Sequence, residues 1–248
     1  MTDNKLNNDQ NKLLIFLHIP KTGGTTLTNI IRNQYLRNIS YSADRSGLIP
    51  SGVLDYKDEL EKASTLCGHF WFGVHNYFSR SSIYITMLRN PIDQVISWFY
   101  FKYKNPQYNQ FDSSFEEYIS SDEFNYFTDN VQTHFICGDG TADLERAKQN
   151  LTKYFSVVGI TELFDESVFI MKKELGWNNI DYSKENSNPS RPNRNQISKL
   201  TINKIKEKNK IDLELYNFAR KILENKIRAL GFQDRQELDI FKSTHKGL

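Results

Sequence analysis

The stretch "LLIFLHIPKTGGTTLTNII" (13–31) narrows the possible folds more than any other part of this chain. Its unbroken apolar run, "LLIFLHI" (13–19), suits a strand covered on both faces, as in a parallel sheet flanked by helices. Two glycines follow, and then Leu27, Ile30 and Ile31 recur at helical spacing up to Gln34 and Tyr35. A strand, a tight loop and a helix start gather free backbone N–H groups around one point, which the helix dipole makes favourable for an anion. Gly23 and Gly24 let the backbone approach such a ligand closely; Thr22, Thr25 and Thr26 add hydroxyls, and Lys21 a mobile positive charge. A nucleoside triphosphatase loop, G-x-x-x-x-G-K-[ST], carries its lysine after the glycines, whereas this one carries it before them. The expected ligand is therefore an anion other than a magnesium-bound triphosphate.

Further strands are expected at "STLCGHF" (64–70), "SIYITML" (82–88) and "YFSVVGI" (154–160). Asn90 offers an N-cap and Pro91 a first helical position, ahead of an apolar stripe of Ile92, Val95, Ile96 and Phe99. Asp165 is expected to cap a helix that ends before Gly176, and two helices are expected from about Ser198 to Leu230. Strands alternating with helices predict an α/β protein, a three-layer P-loop-like fold with a central, mainly parallel sheet. Residues 102–150 are aromatic and rich in Asn and Gln, with no clear strand. They are expected to form a mostly helical insertion over the carboxyl end of the sheet, on the acceptor side, where open α/β sheets bind ligands. No second domain boundary is evident, which gives a flexible N-terminus over 1–12 and a single domain over 13–248.

A net charge of +2 argues against a general nucleic-acid binder. Cys67 and Cys137 are too few for a disulfide framework and lack metal-ligand spacing. No apolar run approaches the roughly 20 residues that span a bilayer, and the polar N-terminus does not resemble a signal peptide. The expectation is a cytoplasmic protein.

"IPKTGGTT" resembles the 5′-phosphosulfate-binding loop of sulfotransferases, in particular the branch that contains the carbohydrate 2-O-sulfotransferases and many bacterial relatives. That branch reads I-P-K-T-[GA]-[GS]-[TS]. "LRNPIDQVISWFYF" (88–101) resembles the 3′-phosphate motif of the same family, R-[DN]-P with a serine eight residues after the arginine, positions held by Arg89 and Ser97. Gln94 or Val95 stands where many members carry a further arginine. "VGITELFDES" (158–167) and "NKIDLELYNFA" (209–219) add weaker matches.

The resemblance implies transfer of a sulfuryl group from 3′-phosphoadenosine 5′-phosphosulfate (PAPS) to an acceptor, leaving the 3′,5′-bisphosphate PAP. The donor has two anionic ends, and the sequence supplies two anion sites. Lys21 and the loop N–H groups would meet the phosphosulfate, and the planar fork of Arg89, joined by Ser97, the 3′-phosphate. No metal is expected to be required, since sulfate carries less charge than phosphate. The resemblance also puts the turn at Thr161 and Glu162 beside adenine and lets Arg191, in the Pro- and Asn-rich loop 184–195, fold over the nucleotide. The branch uses a histidine in a G-H-x-x-F type motif as base. Gly68-His69 matches the start of that motif, with His75 and His134 as alternatives and His18 read as structural. The acceptor is expected to be a glycan or small metabolite. A small-molecule kinase and a non-catalytic nucleotide- or glycan-binding protein remain as other readings.

Overall fold

The computed structural model describes residues 12–35, 38–41, 61–104, 114–121, 128–183 and 192–245. Five parallel strands form one sheet: β1 (Leu13–Leu17), β2 (Asn38–Tyr41), β3 (Thr65–Gly68), β4 (Ser82–Leu88) and β5 (Phe155–Ile160). Their order is β2-β3-β1-β4-β5. After β1 the chain moves outward to β2 and returns through β3, then places β4 and β5 on the other side of β1. The connections thus diverge at β1. In open parallel sheets such a switch point leaves a crevice beyond the carboxyl ends of the strands, and here the glycine-rich loop opens into it.

β1 is buried along its whole length, as its unbroken apolar run requires of a central strand. It ends at Leu17, short of the apolar run's end at Ile19, because the carbonyls of His18 and Ile19 bond to side chains instead of a neighbouring strand. β2, a four-residue edge strand with the sequence "NISY", was not signalled by its composition. Among the described residues the helices are α1 (Gly24–Gln34), α2 (Pro91–Lys104), α3 (Phe115–Ser120), α4 (Val131–Cys137), α5 (Leu144–Tyr154), α6 (Phe164–Leu175), α7 (Lys199–Lys208), α8 (Lys210–Arg228) and α9 (Phe232–Thr244).

α2 starts as its sequence demands: Asn90 Oδ1 accepts the Ile92 N–H at 3.1 Å. Its stripe of Ile92, Val95, Ile96 and Phe99 is buried against α3 and Ile205 of α7 in a satellite core. α6 ends at Gly176, whose φ of +68° lies in the left-handed region that favours glycine. Asp165 does not cap α6. The chain enters that helix directly from a 3-10 turn (Thr161–Leu163), so Asp165 already lies in the first turn, where it accepts the Tyr182 hydroxyl at 2.6 Å. The two expected C-terminal helices are α7 and α8; α9 adds a third.

The expected insertion 102–150 is described in part, with residues 105–113 and 122–127 outside the described residues. Val131, Phe135, Ile136 and Cys137 of α4, with Ala147 and Leu151 of α5, belong to the main core together with Leu215, Ala219 and Leu223 of α8. α5 runs directly into β5. From Val131 onward the apolar side chains of this segment belong to the framework.

Gly159 of β5 lies under α6. A Cβ there would fall 2.3 Å from Met87 Sδ and 2.9 Å from Ser167 Cβ. Ser167 cannot withdraw, since its hydroxyl is bonded to the Ile160 N–H at 2.8 Å and the Leu163 carbonyl at 2.7 Å. Gly159→Ala should therefore destabilise the fold by about 1–3 kcal/mol, the usual cost of overpacking. A lowered urea midpoint at unchanged slope would report it.

Candidate active site

The loop after β1 is shaped by its carbonyls. Every carbonyl from Leu17 to Gly23 accepts a hydrogen bond: Leu17 from Thr86 Oγ1 (2.8 Å), His18 from His69 Nδ1 (2.6 Å), Ile19 from Thr22 Oγ1 (2.8 Å), Pro20 from Gln94 Nε2 (3.0 Å), Lys21 from Arg89 Nη1 (2.9 Å), Thr22 from Thr161 Oγ1 (2.7 Å) and Gly23 from the Leu27 N–H (3.4 Å). With these acceptors committed to the framework, the amides of Gly24, Thr25 and Thr26 at the start of α1 face the place where a ligand can bind. Two residues take left-handed backbone, Lys21 at φ +67° and Gly23 at φ +86°. Glycine does so without strain, whereas a lysine incurs about 1–2 kcal/mol, here opposed by the Arg89 bond to its carbonyl.

The helices that follow β1 and β4 start differently at this end of the sheet. α2 is capped by Asn90, while α1 has no side-chain cap hydrogen bond at Gly23. Unfilled amides and the positive end of the dipole make the α1 start an anion site, with the Lys21 side chain beside it. The Lys21 ammonium sits 3.9 Å from the ring centroid of Phe101, an exposed residue of α2. Of the three loop threonines, Thr22 is fully buried with its hydroxyl turned inward to Ile19, Thr26 is buried, and Thr25 is exposed.

His18 and His69 lie under and beside this cradle. A Cβ on Gly24 would fall 2.0 Å from the His18 ring, so only glycine fits there. The two imidazoles lie 4.2 Å apart between centroids. Since a carbonyl only accepts, the His18 bond fixes the hydrogen of His69 on Nδ1 and leaves Nε2 with a free lone pair. Burial pushes the His69 pKa below its ordinary value and the nearby Lys21 charge adds to this, while the bond to the His18 carbonyl opposes it. His18 is depressed further, by burial first and then by His69 and Lys21. Both rings are therefore neutral at pH 7.

Arg89 follows β4 and points back into the loop. Its backbone is clamped on both sides of Cα: the Arg89 N–H donates to Gln132 Oε1 at 2.9 Å, and Gln132 Nε2 returns a bond to the Arg89 carbonyl at 2.8 Å. The Asn90 N–H donates to Glu162 Oε1 at 2.9 Å, and Glu162 Oε2 accepts the Tyr216 hydroxyl at 3.1 Å. Ser97 is half-buried two turns into α2. Thr161 ties two strand ends together, near the carbonyls of both Thr22 and Leu88. Arg191 lies outside the described residues. Arg194, on the 3-10 turn that follows, pairs bidentately with Asp93 of α2 at 2.8 and 2.6 Å.

Sequence reasoning missed Gln132, Glu162 as a clamp, and the tying role of Gln94, which is buried with Oε1 unpartnered among the described residues. A polar residue on an otherwise buried helix face was the available signal for Gln132. The alternative bases fare differently from His69. His75 is tied to Tyr84 through its own N–H and Nδ1 (3.1 and 2.9 Å), within an aromatic group of Phe72, Tyr84 and Tyr154. His134 sits in the last turn of α4. Among the described residues, no group of three or more His, Cys, Asp or Glu is placed to hold a metal ion, and no helix is long and apolar enough to cross a membrane.

The neutral histidine pair makes stability depend on pH. Both folded pKa values lie below the unfolded value of about 6.5, so the unfolded chain binds more protons as the pH falls. Unfolding free energy should hold above about pH 6.5 and decline below it. Urea titrations between pH 7.5 and 5 would measure the slope, and His18→Gln should remove the larger share of it.

The galactose-3-O-sulfotransferase family model matches residues 4–243. Heparan sulfate 2-O-sulfotransferase 1 of Xenopus laevis is 23% identical over 201 residues, covering 68% of this chain and 56% of that protein. The human protein of that name is 21% identical over 256 residues, covering 88% and 72%. Mouse galactose-3-O-sulfotransferase 2 is 24% identical over 196 residues, covering 66% of this chain and 49% of its own length. The crystal structure of mouse sulfotransferase SULT7A1 complexed with PAP aligns over 97% of this chain and 88% of that one, at 12% identity and a TM-score of 0.42. With the family's pattern running from residue 4 to residue 243, through the anion loop, Arg89 and the C-terminal helices, this chain belongs to the galactose-3-O-sulfotransferase family.

Proposed function

We propose that this protein transfers a sulfuryl group from PAPS to a hydroxyl group of a glycan. The observation that supports it most is the uncapped start of α1, with Lys21 on one side and a neutral imidazole with a free Nε2 on the other. This pairs an anion cradle for a leaving phosphate with a base for an incoming alcohol. Negative charge grows on the bridging oxygen as the S–O bond to phosphate breaks; Lys21 and the amides of Gly24, Thr25 and Thr26 stabilise it. A new S–O bond forms to the acceptor oxygen, whose proton passes to His69 Nε2. Arg89, with Ser97, takes the 3′-phosphate, and Thr161 lies beside the nucleoside. The family and the named relatives support a sugar as acceptor.

Incubation with radiolabelled PAPS and a panel of desulfated glycans, some galactose-terminated and some uronate-containing, tests this directly. Label should pass to at least one glycan, in the presence of EDTA as well as without it. Label appearing only as free sulfate across the panel would refute glycan transfer.

His69→Ala should lower the transfer rate about 10²–10⁴-fold, the usual range for removing a general base, while PAP binds nearly as before. The pH profile of the wild type carries a second check. Because burial and Lys21 hold the His69 pKa down, the acid limb of kcat/KM should lie below the ordinary histidine value of about 6.5. A limb above pH 7, or a near-normal rate in the variant, would assign the proton transfer elsewhere.

A further inference from the structure

α4 and α8 cap each other. Asn130, at the start of α4, turns its Oδ1 onto the Ile211 and Asp212 N–H groups of α8, at 3.0 and 3.1 Å. Asp212 returns the arrangement: its carboxylate accepts the Gln132 N–H (2.9 Å), the Thr133 N–H (2.7 Å) and the Thr133 hydroxyl (2.5 Å), all at the start of α4. Asp212 is 1% exposed, as is Gln132. A carboxylate this deeply enclosed is costly unless hydrogen bonds satisfy it, and these donors do so.

The arrangement continues past α4. Gln132, whose own N–H is fixed by Asp212, spends its side-chain amide on the N–H and C=O of Arg89. By accepting from one peptide and donating to the next, Gln132 holds the two peptides that flank the Arg89 Cα. The second of them is also held from α8, since Tyr216 lies one turn beyond Asp212 and reaches its other end, the Asn90 N–H, through Glu162. Clamping an arginine backbone this way serves no evident packing need, as Arg89 is only half-buried. It does fix the origin from which the guanidinium reaches.

We propose that Asp212 and Gln132 are positioning residues that aim Arg89, and that they set the protein's preference for nucleotides carrying a 3′-phosphate. This inference rests on the proposed assignment of Arg89 to that phosphate. Neither residue touches the ligand; Asp212 orients Gln132, and Gln132 orients Arg89. The 5′ end of the nucleotide is held at the α1 start, which Arg89 supports through its bond to the Lys21 carbonyl. The two residues therefore act mainly on the 3′ end.

The test is calorimetric titration of PAP and of adenosine 5′-phosphate into the wild type, Asp212→Asn and Gln132→Met. Methionine keeps the volume of glutamine but makes neither bond to Arg89, while asparagine turns an N–H donor toward the amides of α4. In both variants the ratio of PAP affinity to adenosine 5′-phosphate affinity should fall about tenfold or more, because misplacement by an ångström costs up to about 10²-fold where geometry is strict. Affinity for adenosine 5′-phosphate should fall less, since Arg89 supports the 5′ site through a single bond to the Lys21 carbonyl. A folded variant with a lowered melting temperature but the wild-type ratio would overturn the proposal, since that is the signature of a merely structural role. If Asp212→Asn fails to fold, Gln132→Met decides alone. A wild-type ratio near one would instead bring down the 3′-phosphate reading of Arg89, and this inference with it.

Discussion

The hydrogen bonds to the loop carbonyls from Leu17 to Gly23 are the constraint on which the rest of the site depends. A peptide whose carbonyl is tied to the framework presents its N–H on the opposite side. The donors come from every part of the sheet that borders the loop: Thr86 from β4, His69 from the end of β3, Arg89 and Gln94 from the entry to α2, and Thr161 from the end of β5. The strand order β3-β1-β4-β5 brings these origins together. Losing one tie would strand an acceptor in a poorly hydrated corner, at about 1–3 kcal/mol. It would also release the left-handed turn at Lys21.

The electrostatics of the site follow from the same packing. A lysine and an imidazole base usually work against each other, since the cation disfavours protonation of the ring. Here that opposition is useful: burial and the Lys21 charge both keep His69 in its unprotonated form, and a backbone carbonyl, not a carboxylate, selects its tautomer. A carboxylate partner would have raised the pKa of the ring and neutralised part of the cationic surroundings. His18 contributes shape. Its ring fills the space that a side chain on Gly24 would need, which brings the start of α1 down onto the base.

What could be read from the sequence was whatever is local. The apolar run of β1, the glycines, the Asn90–Pro91 helix start and the stripe from Ile92 to Phe99 each carry their signal within a few residues, and each appears where that signal puts it. β2 escaped because one isoleucine in a four-residue edge strand sets up no periodicity. The framework role of α4 and α5 escaped because their core positions complement α8, far away in sequence. The clamps on Arg89 escaped for the same reason. Gln132 and Glu162 lie 43 and 72 residues from the amides they hold, and a single buried glutamine has no pattern that announces a distant partner. Gln94 was noticed only as a departure from a motif; its bond to Pro20 shows what it does instead.

The reciprocal capping of α4 and α8 also has a consequence for the order in which the molecule is completed. The amino end of each helix is satisfied by a side chain from the other, some eighty residues away along the chain. On a ribosome the glycine-rich loop, His69 and Arg89 emerge early and can collapse with β1, β3 and β4 into a sheet. The peptide of Arg89 has no fixed direction at that stage, because the helix that secures Gln132 has not yet been made. The earlier part of the chain therefore supplies the chemical groups, and a part synthesised later gives them their final orientation.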